Sequence, residues 1–426
     1  MTLSRRIWAI ALPSIATNIT VPLLGLVDTA ITGHLGATAY IGAVAVGGMM
    51  FNMVYWLLGF LRMTTSGLTA QAQGAGDDDA SDLARHQSLT WGLLFGLLMV
   101  VLQGPLLQVL LYFYAPTGGV ADGATTYFRI LVWGAPAVLA VSSLSGWFLG
   151  RQDARSPMVT AVAQNVVNIA ASLVLVLGCG LKIEGVALGT LVAQWAGLGV
   201  ALFCYYRKHA RRPLLRLRLR GCARFFSVSR DIFLRTVCLV AVLSWFTRTG
   251  TAFGEVTLAT NAVLMEFFVV TSYFLDGFAY AGEAVSGSLL GAGDRAGLHS
   301  LIRSLSLISA ATALVFTLVF LVGGDAIVAL LTDRPEVRRC ATDFLPYLVA
   351  VPLVSFAAFL FDGVFVGCTA TRPLLWSVVA GSAAFFLILY SLPSLANHGL
   401  WLAFLAFLLL RGLVLTAAVP ALLRRV

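Results

Sequence analysis

Apolar positions along this chain come in long blocks broken by short charged or Gly/Pro-rich stretches, without the polar face that a water-exposed helix or strand repeats. Twelve blocks can be drawn, with approximate cores 7–33, 40–70, 89–114, 125–150, 157–179, 185–206, 232–253, 257–285, 304–331, 342–367, 374–393 and 399–421. A helix needs about 20 apolar residues to cross the hydrocarbon of a bilayer. The blocks meet that length, and the short alternating strands of a membrane barrel are missing. The pattern predicts an all-α integral membrane protein of twelve transmembrane helices.

Composition agrees: 59% of the residues are hydrophobic and only 11% charged, too few charges to cover a water-facing surface. Arg5 and Arg6 followed by an apolar run resemble a secretory signal. The run is longer than a signal's apolar region and many spans follow, so an uncleaved first helix is expected. The net charge of +9 is concentrated in RKHARRPLLRLRLRGCARFF, residues 207–226, between two apolar blocks. Sorting Lys and Arg by side, with the N-terminus inside, leaves only Arg129, Lys182, Arg334, Arg338 and Arg339 outside. Inside fall Arg5, Arg6, Arg85, Arg151, Arg155, the 207–235 cluster, Arg295, Arg303, Arg372, Arg424 and Arg425. This asymmetry puts both termini in the cytoplasm. It explains the basic cluster as a cytoplasmic linker touching membrane lipids, with no nucleic acid as partner. The six cysteines show no CxxC pairing and the five histidines no metal-ligand spacing, so no metal or cofactor is expected.

The chain repeats itself. WLLGFLRMTTSGLTAQAQGAGD (56–77) aligns with YFLDGFAYAGEAVSGSLLGAGD (273–294), and GWFLGRQDAR (146–155) aligns with GVFVGCTATR (363–372) at the same offset. The division predicted is an N-terminal six-helix lobe 1–206, a basic linker 207–231 and a C-terminal six-helix lobe 232–426. Six is even, so both halves start on the same side of the membrane. The halves are then related by a pseudo-twofold axis along the membrane normal, a transporter architecture.

Carboxylates inside membrane helices cost roughly 2.5–3.5 kcal/mol each and usually mark ion or proton pathways. Asp28 lies in the first span with Asn18, which is ten residues earlier and within about 80° of it on the helix surface. Pro13 and Pro22 permit that helix to bend. In the eighth span Tyr273, Asp276, Tyr280 and Glu283 share one face. They suit a substrate cavity, or a pair neutralised by Arg62 or Arg248. Asp362 opens GVFVG in the tenth span as a third acidic candidate. Arg62, Arg248 and Arg411 stay within spans. Neither lysine sits in a phosphate-binding loop, which leaves an ion gradient as the energy source.

ALPSIATNITVPLLGLVDTAITGHLG, the LRMTTSGLTAQAQGAGD that follows it, DGFAYAGEAVSG and the six-plus-six layout resemble the multidrug and toxic compound extrusion (MATE) transporters, in their DinF-like branch. The resemblance covers nearly the whole chain and implies the MATE fold. It implies an antiporter exporting organic, often cationic and amphipathic compounds against inward H⁺ or Na⁺, with alternating access of two lobes. It further implies that Asp28 is the coupling acid, that Pro13 marks the bend of the first helix, and that Asp362 matches an acidic position other branches use for cations. Members of the family commonly carry Asn-x-x-x-Asp in the fifth helix and a threonine in the sixth. Here Asn168 is followed four residues on by Ser172, with Thr190 in the threonine's place. Without that carboxylate a hard cation loses an anionic ligand, which favours H⁺ over Na⁺.

The expectation is a non-enzymatic drug/H⁺ antiporter of the bacterial inner membrane. Its coupling site would be Asp28, Asn168 and Thr190, and its cavity residues Asn18, Arg62, Tyr273, Asp276, Tyr280, Glu283 and Asp362. Its partners are small organic substrates and membrane lipids, and it is expected to act as a monomer. The alternative is a flippase for lipid or lipid-linked substrates, which the arginines within spans keep open. An intramembrane aspartyl protease would need Asp77 or Asp294 of the two GAGD strings, which read instead as glycine stop signals at cytoplasmic helix ends; a passive channel is the last reading. Aligning FGEV (253–256) with LGAT (35–38) sets Phe246 opposite Asp28, so the second half has no matching acid.

Overall fold

A computed structural model describes residues 2–33, 38–209, 213–217 and 221–424; the side chains of 21–24, 26, 28, 29 and 38 lie outside the described set. The apolar blocks form twelve helical rods. They are α1 (Leu3–Gly33), α2 (Thr38–Leu57, resuming as Phe60–Ala75), α3 (Asp78–Val101, then Gln103–Tyr114) and α4 (Gly119–Leu131, continuing through a tight turn as Ala135–Gly150). Next come α5 (Arg155–Leu173, ending in a wide turn over 174–178), α6 (Ile183–His209), α7 (Ala223–Thr251) and α8 (Glu255–Gly291). The last four are α9 (Arg295–Leu331), α10 (Pro335–Gly367), α11 (Thr371–Ser391) and α12 (Ala396–Leu423). Among the described residues no strand occurs, and nine rods, or ten with the bent α3, are long and apolar enough to cross a membrane.

Several rods outrun their predicted apolar cores. α9 and α10 start nine and seven residues earlier than the blocks 304–331 and 342–367, because amphipathic first turns belong to the helix but not to the hydrocarbon. The third block is not one straight helix: its two pieces meet at 79°. Gly104 and Pro105 follow the break, and Pro105 has no N–H to return to Val101.

The chain forms two compact units. One comprises Met1–Ile15, Ala70–Gly76 and Arg230–Val426, the other Ala16–Thr69 and Asp77–Ser229. The first half of α1 and the last turns of α2 therefore pack with the unit that contains α8 to α12, and the linker region already turns helical at Ala223.

Inside each unit the repeated strings do the same job. In the unit built on α2 to α6, a side chain on Gly146 would strike the carbonyl of Arg62, and one on Gly150 the carbonyl of Ser66. In the other unit, Gly363 meets the carbonyl of Ala279 and Gly367 that of Glu283. Each member of the second set is the repeat counterpart of a member of the first. The two GxxxG strings are thus close crossings of α4 on α2 and of α10 on α8, where only a missing Cβ lets the backbones meet. Across the α8–α10 crossing Ser286 Oγ donates to the Val364 carbonyl at 3.1 Å. Near it the last turns of α2 and α8 meet reciprocally: Gly74 faces the Ser288 carbonyl, and Gly291 faces that of Gln71.

The GAGD strings are helix punctuation. Gly76 and Gly293 take the left-handed backbone that ends α2 and α8, with φ of 70° and 69°. Asp77 then accepts from Ala80 N at 2.9 Å to cap α3, and Asp294 from Gly297 N at 2.8 Å to cap α9. Both aspartates have a structural task, which removes the basis of the protease reading.

An aromatic core fills the unit of α7 to α12, with Phe246 against Trp401 and Phe404 at centroid distances of 5.2 Å. A buried amide pair lies beside it. Asn261 and Asn397 exchange hydrogen bonds of 2.7 and 3.0 Å, and Trp401 Nε1 adds a third at 2.9 Å. The other unit holds down the linker. Arg85 on α3 is fully buried, pairs with Asp82 at 2.7 Å and donates to the carbonyls of Pro213 and Leu214. The rings of Trp147 and Tyr205 flank its guanidinium at 4.7 and 4.9 Å. His86 Nδ1 accepts from Arg216 N, and Gln87 donates to the Gly221 carbonyl. Where α4 turns into α5, Asp153 binds Lys208 Nζ and Ser156 Oγ, each at 2.6 Å. Burial pushes the Asp153 carboxyl up, but these bonds and the ammonium charge outweigh it and hold it below the usual carboxylate range.

Candidate functional site

Two buried polar clusters stand out, one in each unit. The first is carried by α5 and α6. Asn168 and Ser172 lie one turn apart on α5, both fully buried, and Thr190 faces them from α6. Thr190 Oγ1 donates to the Val186 carbonyl at 3.0 Å, which uses its single proton. It can then only accept, so it takes the Asn168 Nδ2 proton at 2.8 Å. That fixes the amide: Asn168 Oδ1 points away, buried and, among the described residues, without a hydrogen-bond partner, as is Ser172 Oγ. Gly189 on α6 lies against Ser172, and a side chain there would collide with it. The helix pair is therefore close at the point where these oxygens sit.

α1 is fastened to the same helix. Asn165 Nδ2, one turn before Asn168, donates to the Thr20 carbonyl at 2.9 Å. α1 runs helical from Leu3 to Gly33 through both Pro13 and Pro22. The side chains of Asp28 and Pro22 lie outside the described residues. Asn18 is half-buried two residues before the Thr20 contact. Of the predicted coupling set the fold thus brings Asn168 and Thr190 into direct contact. The oxygens they and Ser172 offer are all neutral.

The second cluster is a buried charge network on α7, α10 and α12. Asp362 Oδ2 is bonded by Arg235, and Asp362 Oδ1 lies 3.8 Å from the Arg411 guanidinium. Arg235 and Arg411 are 5% and 4% exposed, and the Arg411 guanidinium also sits 5.3 Å from the Phe407 ring. Asp276, on α8, acts on Arg411 electrostatically. Taking such charges out of water is costly, and pairing offsets the cost. Asp362, expected among the substrate-cavity residues, is here a partner of two arginines.

The remaining predicted positions fall mostly on α8. Glu283 is buried at the α8–α10 crossing, with its carbonyl against Gly367. Tyr273, Asp276 and Tyr280 are half-buried on the same helix, and Arg62 is half-buried on α2 with its carbonyl against Gly146. Arg248 is exposed beside the Trp245 ring. Arg235 was not singled out by the sequence, because it was sorted with the basic 207–235 cluster although it falls inside the seventh apolar block, 232–253. The available signal was Asp231 four residues earlier, an acid one helical turn from Arg235 inside α7. Asp231 is itself buried and accepts from Thr371 Oγ1 at 2.8 Å. No group of three or more metal-ligating side chains occurs among the described residues.

Comparison with known proteins extends these observations. A family model described as MatE matches residues 13–174 and again 232–392, two stretches that begin at nearly equivalent points of the repeat. DNA damage-inducible protein F of Escherichia coli (strain K12) is 40% identical over 418 residues, covering 97% of this chain and 91% of that protein. Among solved structures, a MOP superfamily transporter from Pyrococcus furiosus is similar at a TM-score of 0.85 and 18% identity, over 99% of this chain and 97% of its own. The Vibrio cholerae MATE transporter VcmN in its bent form gives the same TM-score, identity and coverage. At that identity the two structures speak for the fold alone.

Proposed function

The chain belongs to the MatE family of multidrug and toxic compound efflux transporters, and we propose that it is an antiporter driven by inward H⁺, with Asp28 as the coupling acid. Its cargo is organic compounds, often cationic and amphipathic, moved by alternating access of two six-helix halves. It works in the bacterial inner membrane with both termini in the cytoplasm, the orientation that the sorting of Lys and Arg favours.

The observation that carries the preference for H⁺ is the Asn168–Ser172–Thr190 cluster. It offers only neutral oxygens where a hard cation wants a carboxylate. A lone acid on α1, Asp28, is then left to carry the coupling proton. The Asn165–Thr20 bond supports the same reading, since it ties α1 to the helix that carries the cluster. Protonation of Asp28 favours one facing of the transporter and its ionised form the other. Substrate contacts are assigned to Asn18, Arg62, Tyr273, Asp276, Tyr280 and Glu283.

The test is efflux of ethidium from proteoliposomes under an imposed pH gradient, then under an imposed Na⁺ gradient. Transport is expected with the first alone, and Asp28→Asn should abolish it with membrane insertion intact. Transport driven by Na⁺ alone, or unchanged in the variant, would overturn the assignment.

A further inference from the structure

Arg411 and Arg235 present about ten N–H donors between them, in a setting from which water is almost excluded. Among the described residues Asp362 is the one acceptor bonded to either. It takes a single hydrogen bond from Arg235, and its other oxygen is 3.8 Å from Arg411, an ion-pair distance but no hydrogen bond. The Nε atoms of both arginines are buried and have no hydrogen-bond partner among the described residues. Asp276 acts on Arg411 through its charge. Buried polar groups are normally satisfied, and a guanidinium more than most. A structural ion pair would use both carboxylate oxygens against both forks. Here Asp362 meets one Nη of each arginine, and each Nε–H donor is left over. Nε–H with the Nη beside it is the fork that grips a carboxylate or phosphate bidentately, and here only its Nη arm is engaged by Asp362. Phe407 fixes the Arg411 plane from one side, and the aliphatic stem of Arg411 rests against Gly381, where a side chain would displace it. Asp362 keeps 14% of its side chain exposed, so the cluster is not sealed.

We propose that Arg235 and Arg411 form an oxyanion subsite in the unit of α7 to α12, which takes the carboxylate, sulfonate or phosphate group of an amphipathic compound. Asp362 is its positioning residue: it holds the two guanidiniums side by side and leaves their Nε edges for the ligand. This rests on the reading of the chain as an exporter of organic compounds and narrows it. Cargo with an anionic group, alone or in a zwitterion, is accepted alongside the cations that family membership suggests. An anionic lipid headgroup carries the same chemistry and competes for the same forks.

Binding is measured by titration calorimetry on the full-length protein in neutral detergent, with naphthalene-2-carboxylate and its neutral amide as matched probes. The carboxylate is expected to bind at least tenfold more tightly than the amide, a comparison that needs no variant. Arg411→Gln and Arg235→Gln should each remove that preference, with Arg411→Lys keeping part of it and Arg248→Gln all of it. Equal binding of the two probes to the wild-type protein overturns the proposal, as does a preference that survives in folded Arg411→Gln. Loss of carboxylate binding on adding phosphatidylglycerol, but not phosphatidylcholine, supports the site and assigns its resident to lipid. Ethidium efflux in proteoliposomes separates the two readings. Efflux on a pH gradient with no carboxylate preference sinks the subsite alone. A carboxylate preference with no gradient-driven efflux sinks the antiport reading alone.

Discussion

Gly146 lies against the carbonyl of Arg62, and at the equivalent point of the repeat Gly363 lies against the carbonyl of Ala279. The same holds for Gly150 with Ser66 and for Gly367 with Glu283. The repeat is therefore a repeat of helix crossings and not merely of letters. It also fits the small residues in DGFAYAGEAVSG: Ala279 and Ser286 lie against the backbone of α10.

Gly363→Ala should destabilise the protein by about 1–3 kcal/mol, because the added methyl has only the Ala279 backbone to push against. Gly199→Ala in the interior of α6, where nothing lies within 4 Å, should be neutral or stabilising. Thermal unfolding in detergent compares them, and equal melting temperatures would contradict the crossing argument.

Asp362→Asn removes the carboxylate that is bonded to Arg235 and ion-paired with Arg411. A loss of about 3–5 kcal/mol is expected, as for other broken buried pairs. Adding Arg235→Met to that variant should recover part of it, read as the coupling in a double-mutant cycle.

Arg85→Met frees the Pro213 and Leu214 carbonyls and the Asp82 carboxylate together. The linker should then detach more often. Tryptic cleavage near Arg216 should run about tenfold faster or more, since an opening cost of about 1.4 kcal/mol is a factor of ten. An unchanged cleavage rate would show that the strap is held elsewhere.

The Asp153 carboxyl ionises more readily in the folded chain than in the unfolded one. The unfolded state therefore binds the proton better, and stability rises with pH across that range. The contribution is complete above the unfolded value of about 3.9 and fades as pH falls through it. The melting-temperature advantage of wild type over Asp153→Asn should be present at about pH 6–7 and shrink below about pH 4. Lys208 is 44% exposed, so high salt should reduce that advantage too.

Ser172→Asp supplies the missing carboxylate beside Asn168 and Thr190. NaCl, but not choline chloride, should raise the melting temperature of this variant and leave wild type unmoved, as expected when an ion binds only the folded state. A variant indifferent to Na⁺ would argue against the neutral-oxygen explanation for H⁺ coupling.

The sequence by itself determined the all-helical membrane architecture, the twelve rods and the repeat. These depend on local or periodic properties: runs of apolar residues and glycines at fixed spacing. The Asn168–Thr190 pair was suggested only by the family resemblance, and the packing of α5 on α6 brings the two side chains together. The bend in α3 was legible too, in Gly104 and Pro105, but a hydropathy profile averages over it. The pairing of Asp362 could not be read in this way. Arg235 and Arg411 are remote from it in the chain, one before and one after, and only the packing of α7, α10 and α12 brings the three together. The letters GAGD already read as glycine stop signals at helix ends. The fold adds the cap, by starting a helix at the next residue and turning each aspartate back onto its N–H groups. Hydrophobicity is additive along the chain and survives without a fold. Charge pairing is a function of distance, and distance between remote residues exists only once the helices have packed.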